Sequence, residues 1–365
     1  MENTRRKKHG FKFWLNVVTL VAVILLVWFS REDLLQAWRL LGQVDFWWLI
    51  LLVPLQVIVY YSMSEIGMSY LEKRRQMKKQ HWWTKAIFSL ELNFVNHVLP
   101  SAGASGFSYG LWRMKNFGVD KVHATMSQLI RTIISFAAFI PLLLIASFWV
   151  SITNKASGSL VMIAVGASVL LIMVLFFGSY LISNRQQMLN FGHWATRAIN
   201  RVVYHITFKR ARRQVLSVER AEKVFSELND DYVKLMREKK VLKWPFLWGI
   251  IWILADVAMF EITFVAMGTF VDPMVLLLAY GASCVAGFFV LTPGGVGAYE
   301  AAFILVLISN GVGGDVASAG TLLTRVILVI GTLLSGYYFY HKAINRKELP
   351  PDDTPSLAAR RGRDR

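Results

Sequence analysis

Leu291-Thr292-Pro293-Gly294-Gly295-Val296-Gly297-Ala298-Tyr299-Glu300 breaks an apolar stretch near the end of this chain. An earlier stretch does the same: Asn96-His97-Val98-Leu99-Pro100-Ser101-Ala102-Gly103-Ala104-Ser105-Gly106. In both places the apolar run is too short to cross a bilayer comfortably, and an arginine follows inside the next hydrophobic segment, Arg131 or Arg325. Broken hydrophobic segments at corresponding positions of two halves point to a binding site in a membrane transporter. Arginines buried beside them point to an anionic ligand.

Working outward, the chain has 365 residues, 55% of them hydrophobic, and a mean hydropathy of +0.45. Long apolar runs alternate with short polar segments, which predicts an all-α polytopic membrane protein. The single cysteine, Cys284, excludes intramolecular disulfides. Arg5-Arg6-Lys7-Lys8 followed by an apolar run from Phe13 to Phe29 resembles a signal peptide. The run is long and has no small-residue cleavage site before Arg31, so it reads as an uncleaved first span.

The net charge of +17 reports topology. With the N-terminus in the cytoplasm, spans fall near 13–30, 46–64, 124–150, 157–182, 244–270 and 317–341. About 35 of the 40 Lys and Arg then lie on the cytoplasmic side, as the positive-inside rule requires. The remaining attraction is to anionic lipid headgroups. No interleaved aromatic platform accompanies the charge, so nucleic acid is not an expected partner.

The same rule orients the broken segments. Residues 86–99 supply about 14 residues against the ~20 a span needs. Lys78, Lys79 and Lys85 precede this hairpin and Arg113 follows it, so both of its ends should lie on the cytoplasmic face. The second, 274–310, runs from Val271-Asp272-Pro273 to Gly313-Gly314-Asp315 and should open on the outer face. The expected architecture is about six full spans plus two re-entrant helical hairpins in an inverted repeat. Its parts are a basic cytoplasmic N-terminus (1–12), a first membrane repeat (13–150), a second (157–341) and a disordered cytoplasmic tail (342–365). Within the second repeat, 183–243 is a basic cytoplasmic loop, read as a solvated connector lying on anionic lipid or a headgroup-gathering apron. Val218, Phe225, Leu228, Tyr232 and Leu235 give its latter part an amphipathic helical spacing. Non-helical backbone at membrane depth needs protein or a water-filled cavity around it, so two opposed hairpin tips imply a shared polar cavity.

Arg131 and Arg325 each lie about ten residues into a helix, roughly 15 Å deep at 1.5 Å per residue. A central arginine costs about 2.5–3.5 kcal/mol and so needs a partner or an aqueous cavity. It can serve as a fork for a phosphate headgroup, or as half of an ion pair with Glu91, Asp256, Glu261 or Glu300. Pro293, Gly294, Gly295 and Gly297 leave bare amides ahead of a helix, where anions bind. Glu300, in that helix's first turn, reads either as a capping carboxylate or as a gating and proton-coupling group. In the earlier copy Asn96, Pro100, Ser101 and Gly103 are the matching candidates, with His97 a satisfied polar residue. Glu91, Asp256 and Glu261 are candidates for gating or proton coupling. Trp47, Trp48, Trp82, Trp83, Trp244 and Trp248 suit interfacial anchors.

No phosphate-binding P-loop, His-Glu-x-x-His or Gly-x-Ser-x-Gly motif occurs, so no catalytic residue, cofactor or metal ligand is expected. The Asn96–Gly106 and Pro293–Glu300 patterns, with their downstream arginines, resemble the lysylphosphatidylglycerol synthase transmembrane region, the flippase-like domain of bacterial multiple peptide resistance factors. The resemblance covers roughly 10–345, although the first motif has Gly103-Ala104 where the family has Gly-Gly. It implies a bacterial cell-membrane protein that moves an anionic or aminoacylated phospholipid, or a polyprenyl-phosphate lipid, between leaflets. The soluble aminoacyltransferase domain of full-length family members does not follow here, so a phosphatidylglycerol lysyltransferase label is not expected to describe this chain. The alternative is a membrane scaffold that docks a separately encoded lipid-modifying enzyme. A homodimer is a further expectation.

Overall fold

A computed structural model describes residues 42, 44–99, 103–153, 158–206, 218–288 and 296–345. The span expected at 13–30 and most of the tail expected at 342–365 lie outside these. The described chain is helical, because apolar segments without water to solvate their amides must satisfy them internally. A short α1 (Phe46–Ile50) leads into α2 (Leu52–Lys73), followed by α3 (Trp82–Val98), α4 (Ala104–Lys115) and α5 (Lys121–Thr153). Then come α6 (Gly158–Ser183), α7 (Arg185–Ile206), α8 (Val218–Arg237) and a 3-10 turn (Lys239–Leu242). The last four are α9 (Lys243–Ala266), α10 (Pro273–Phe288), α11 (Ala298–Ser309) and α12 (Gly314–Asn345).

Helix boundaries follow local chemistry. Arg75 adopts a positive φ of 57° and ends α2. Asp120 caps α5, its Oδ1 accepting from the amides of Val122 at 3.0 Å and His123 at 3.1 Å. Asp272 caps α10 by accepting from Met274 N at 2.8 Å, and Pro273 takes the first helical position, where a missing N–H costs nothing.

Among the described residues, four helices are long and apolar enough to cross a membrane: α1–α2, α5, the 3-10 turn with α9, and α12. A fifth crossing arises if α6 and α7, which meet at a 99° bend, form one bent span. α3–α4 and α10–α11 are pairs of shorter helices, of 17 and 12 and of 16 and 12 residues, so none matches the ~20-residue span length.

α2 and α9 pack along each other at the centre, and α5 lies against both. The two broken pairs are exchanged between halves of the chain: α3 packs on α12, and α10 packs on α5. Small residues allow these approaches. A Cβ built on Gly336 of α12 would stand 2.6 Å from the Phe94 Cβ of α3. That neighbour is fixed to its backbone and cannot swing away. Gly336→Ala should therefore destabilise the protein by about 1–3 kcal/mol through overpacking. Gly331→Ala on the same helix meets nothing within 4 Å, and should be neutral or gain up to ~1 kcal/mol from helix propensity. Thermal unfolding of both variants in one detergent tests this; equal midpoints would reject the account.

The segment 183–243, expected as a loop, contains helices α7 and α8. Leu228, Tyr232 and Leu235 of α8 are buried in the core with Met126 and Ile130 of α5. They face the bundle, where the sequence left them on lipid. Asn229 Nδ2 donates to Ile182 O at 2.6 Å, and Arg74 at the end of α2 pairs with Asp231 at 3.4 Å and Glu238 at 3.2 Å. Phe148, Phe176, Phe177 and Leu334 remain exposed, as a lipid-facing surface requires.

Candidate functional site: a polar cluster within the helix bundle

α4 and α11 both have 12 residues and both start just after a glycine with positive φ, 85° at Gly103 and 93° at Gly297. These backbone angles suit glycine, since a side chain is strained there. The interval from Gly103 to Gly297 equals that from Arg131 to Arg325, so the two halves share one numbering register. In that register Glu300 corresponds to Gly106. The two arginines therefore meet different surroundings.

Arg325 projects from α12 towards α11. Its Nε donates to Glu300 Oε1 at 2.9 Å, and its guanidinium carbon stands 4.2 Å from the Tyr299 ring centroid. Glu300 Oε2 accepts from the Gly297 amide at 2.7 Å. One carboxylate thus caps α11 and neutralises Arg325. Asp256 of α9 accepts from the Tyr280 hydroxyl of α10 at 2.5 Å and lies within electrostatic range of Arg325. His97, at the end of α3, donates from Nδ1 to Asn93 O at 2.9 Å and senses the charges of both Arg325 and Glu300. The first broken segment thus approaches the charged group of the second.

Arg131, partly buried on α5, makes no hydrogen bond or ion pair among the described residues. Glu91 cannot serve it. Its Oε2 accepts from Arg113 Nε at 2.8 Å and from the Tyr109 hydroxyl at 3.0 Å, a buried lock that holds α4 on α3. Gly106, opposite Glu300 in the register, uses its amide to donate to Asn96 Oδ1 at 2.9 Å. A Cβ there would meet the Asn96 side chain at 2.4 Å. Asn96 thereby braces the first break, and any side chain at Gly106 would displace the Asn96 amide. Glu261 sits apart, near Asp272, with neither carboxylate oxygen hydrogen-bonded. Pro100, Ser101, Pro293, Gly294 and Gly295 lie outside the described residues.

In the sequence Lys85 and Arg113 mark only a membrane face. Both are buried. Lys85 Nζ pairs with Glu65 at 2.8 Å and Glu72 at 2.9 Å, tying α3 to α2. The available signal was Glu65 itself, a carboxylate inside an apolar helix that needs a cation nearby.

Long apolar helices, two broken pairs exchanged between halves and a charged interior define a multi-pass helical membrane protein. The family described as lysylphosphatidylglycerol synthase TM region matches residues 14–336. The chain belongs to that family, which points to a lipid-related role in the membrane. None of the curated proteins matches it significantly.

Proposed function

We propose that this chain translocates an anionic lipid between leaflets, with the headgroup passing through the polar cluster and the acyl chains remaining in the bilayer. On this reading α3–α4 and α10–α11 are re-entrant hairpins of an inverted repeat, open to opposite faces of a bacterial plasma membrane, with both termini cytoplasmic. The observation that carries it is the inequality of the two arginines. Arg325 is already satisfied by Glu300, whereas Arg131 has no ion pair or hydrogen bond among the described residues. A lone cation at that depth is costly unless an anion visits it, and a phosphate offers the bidentate match. The cargo class is a phosphate-bearing lipid: an anionic or aminoacylated phospholipid, or a polyprenyl-phosphate lipid. Glu300, bound to Arg325, supplies a resident carboxylate that an incoming phosphate must displace. Asp256 and Glu261 are the proposed gating or proton-coupling carboxylates.

Vesicles containing the full chain and a headgroup-labelled phosphatidylglycerol test this. Bleaching the outer leaflet with a membrane-impermeant reductant should remove nearly all the label when the protein is present, against only the outer-leaflet share without it. An unchanged plateau would reject translocation and favour the scaffold reading, to be pursued by crosslinking in native membranes.

A further inference from the structure

A cavity of about 190 Å³ lies between α5, α6 and α8, away from the charged cluster. Its walls include Ile133, Ile134, Ile182 and Leu235, with Met236 and Leu242 on one side. The hydroxyls among its lining residues, Ser179 and Tyr232, bond to one another. The other lining side chains are apolar, and apolar cavities of comparable size stay dry and accept small hydrocarbon groups.

The chain between the lining residues Met236 and Leu242 has the opposite character. Arg237, Glu238, Lys239 and Lys240 are exposed there, and Lys243 follows, also exposed. Glu238 is engaged by Arg74 at 3.2 Å, so the segment presents net positive charge. Trp244, 56% exposed, comes next and suits a place at headgroup level. A dry apolar cavity thus adjoins a basic turn at the expected depth of lipid phosphates. The fitting occupant is apolar inside and anionic at the mouth.

We infer that this cavity is a second lipid site, which holds an acyl chain of an anionic phospholipid from the adjoining leaflet while Lys239 and Lys240 engage its phosphate. Arg131 is not among its lining residues, and the site does not depend on translocation. Because α8 supplies one wall, a bound lipid also fastens the 183–243 segment to the bundle.

Native mass spectrometry of the purified full chain tests the site, with phosphatidylglycerol and phosphatidylcholine of matched chains as probes. The wild type should bind phosphatidylglycerol preferentially. Lys239→Gln/Lys240→Gln should weaken that binding about 30-fold, the effect of two lysines near an anionic headgroup. In an Arg131→Ala background, which removes the cation of the proposed translocation path, Ile133→Trp fills the cavity and should remove the remaining bound lipid; if it fails to fold, Met236→Trp fills the cavity from the opposite wall. Arg131→Ala should retain the lipid, which separates this site from the proposed translocation path. Equal binding of the two lipids, wild-type affinity in the double glutamine variant, or retention of lipid in a folded filled variant would each overturn the assignment. Loss of the lipid in Arg131→Ala would overturn its independence.

Discussion

Arg131→Ala should lower lipid translocation by about 10–100-fold, the value of one charge-assisted phosphate contact, without loss of thermal stability. Most buried-charge replacements do the reverse, because they orphan a partner. Arg131 has no partner among the described residues to orphan. Removing it eliminates the cost of a lone guanidinium in an apolar setting, about 2.5–3.5 kcal/mol on insertion scales. The unfolding midpoint should therefore stay level or rise. Arg325→Ala provides the contrast. It leaves Glu300 without its cation, and stability should fall by about 3–5 kcal/mol, as when one member of a buried pair is removed. The two measurements, reconstituted transport and thermal unfolding, should therefore separate the arginines. If Arg131→Ala transports normally, its guanidinium does not bind the cargo. If it unfolds as readily as Arg325→Ala, it is structural.

A stability effect at least as large is expected at Lys85. Its side chain is 2% exposed and faces two carboxylates, Glu65 at 7% and Glu72 at 15%. Lys85→Met leaves two neighbouring acids in a nearly dry environment with no cation, and should cost about 3–5 kcal/mol or abolish accumulation of folded protein. The triple change Lys85→Met/Glu65→Gln/Glu72→Gln removes the charges together and should recover much of that loss, because replacing an entire buried ion group is often close to neutral. Thermal unfolding of the wild type, single and triple variants in the same detergent decides it. A triple variant no more stable than the single would show that packing of the lysine stem, rather than charge balance, holds α2 to α3.

The sequence by itself determined the membrane class, the division of α3 from α4 and of α10 from α11, and the placing of Arg131 and Arg325 inside apolar helices. Those features depend on composition and local spacing, and a bilayer enforces them segment by segment because every buried amide must be satisfied. The helical amphipathicity of 218–235 was legible for the same reason, but not what its apolar face covers; that depends on the approach of α5 and α6. Partnership was not legible either. Two arginines in equivalent positions looked alike, yet one meets Glu300 and the other has no ion-pair partner among the described residues. Lys85 and Arg113 read as surface charges until the packing of α3 on α2 and α4 enclosed them with Glu65, Glu72 and Glu91. A hydrophobic pattern fixes which segments leave water. Which charges then neutralise one another depends on separations of a few ångströms between residues distant in the chain, and only the tertiary structure sets those.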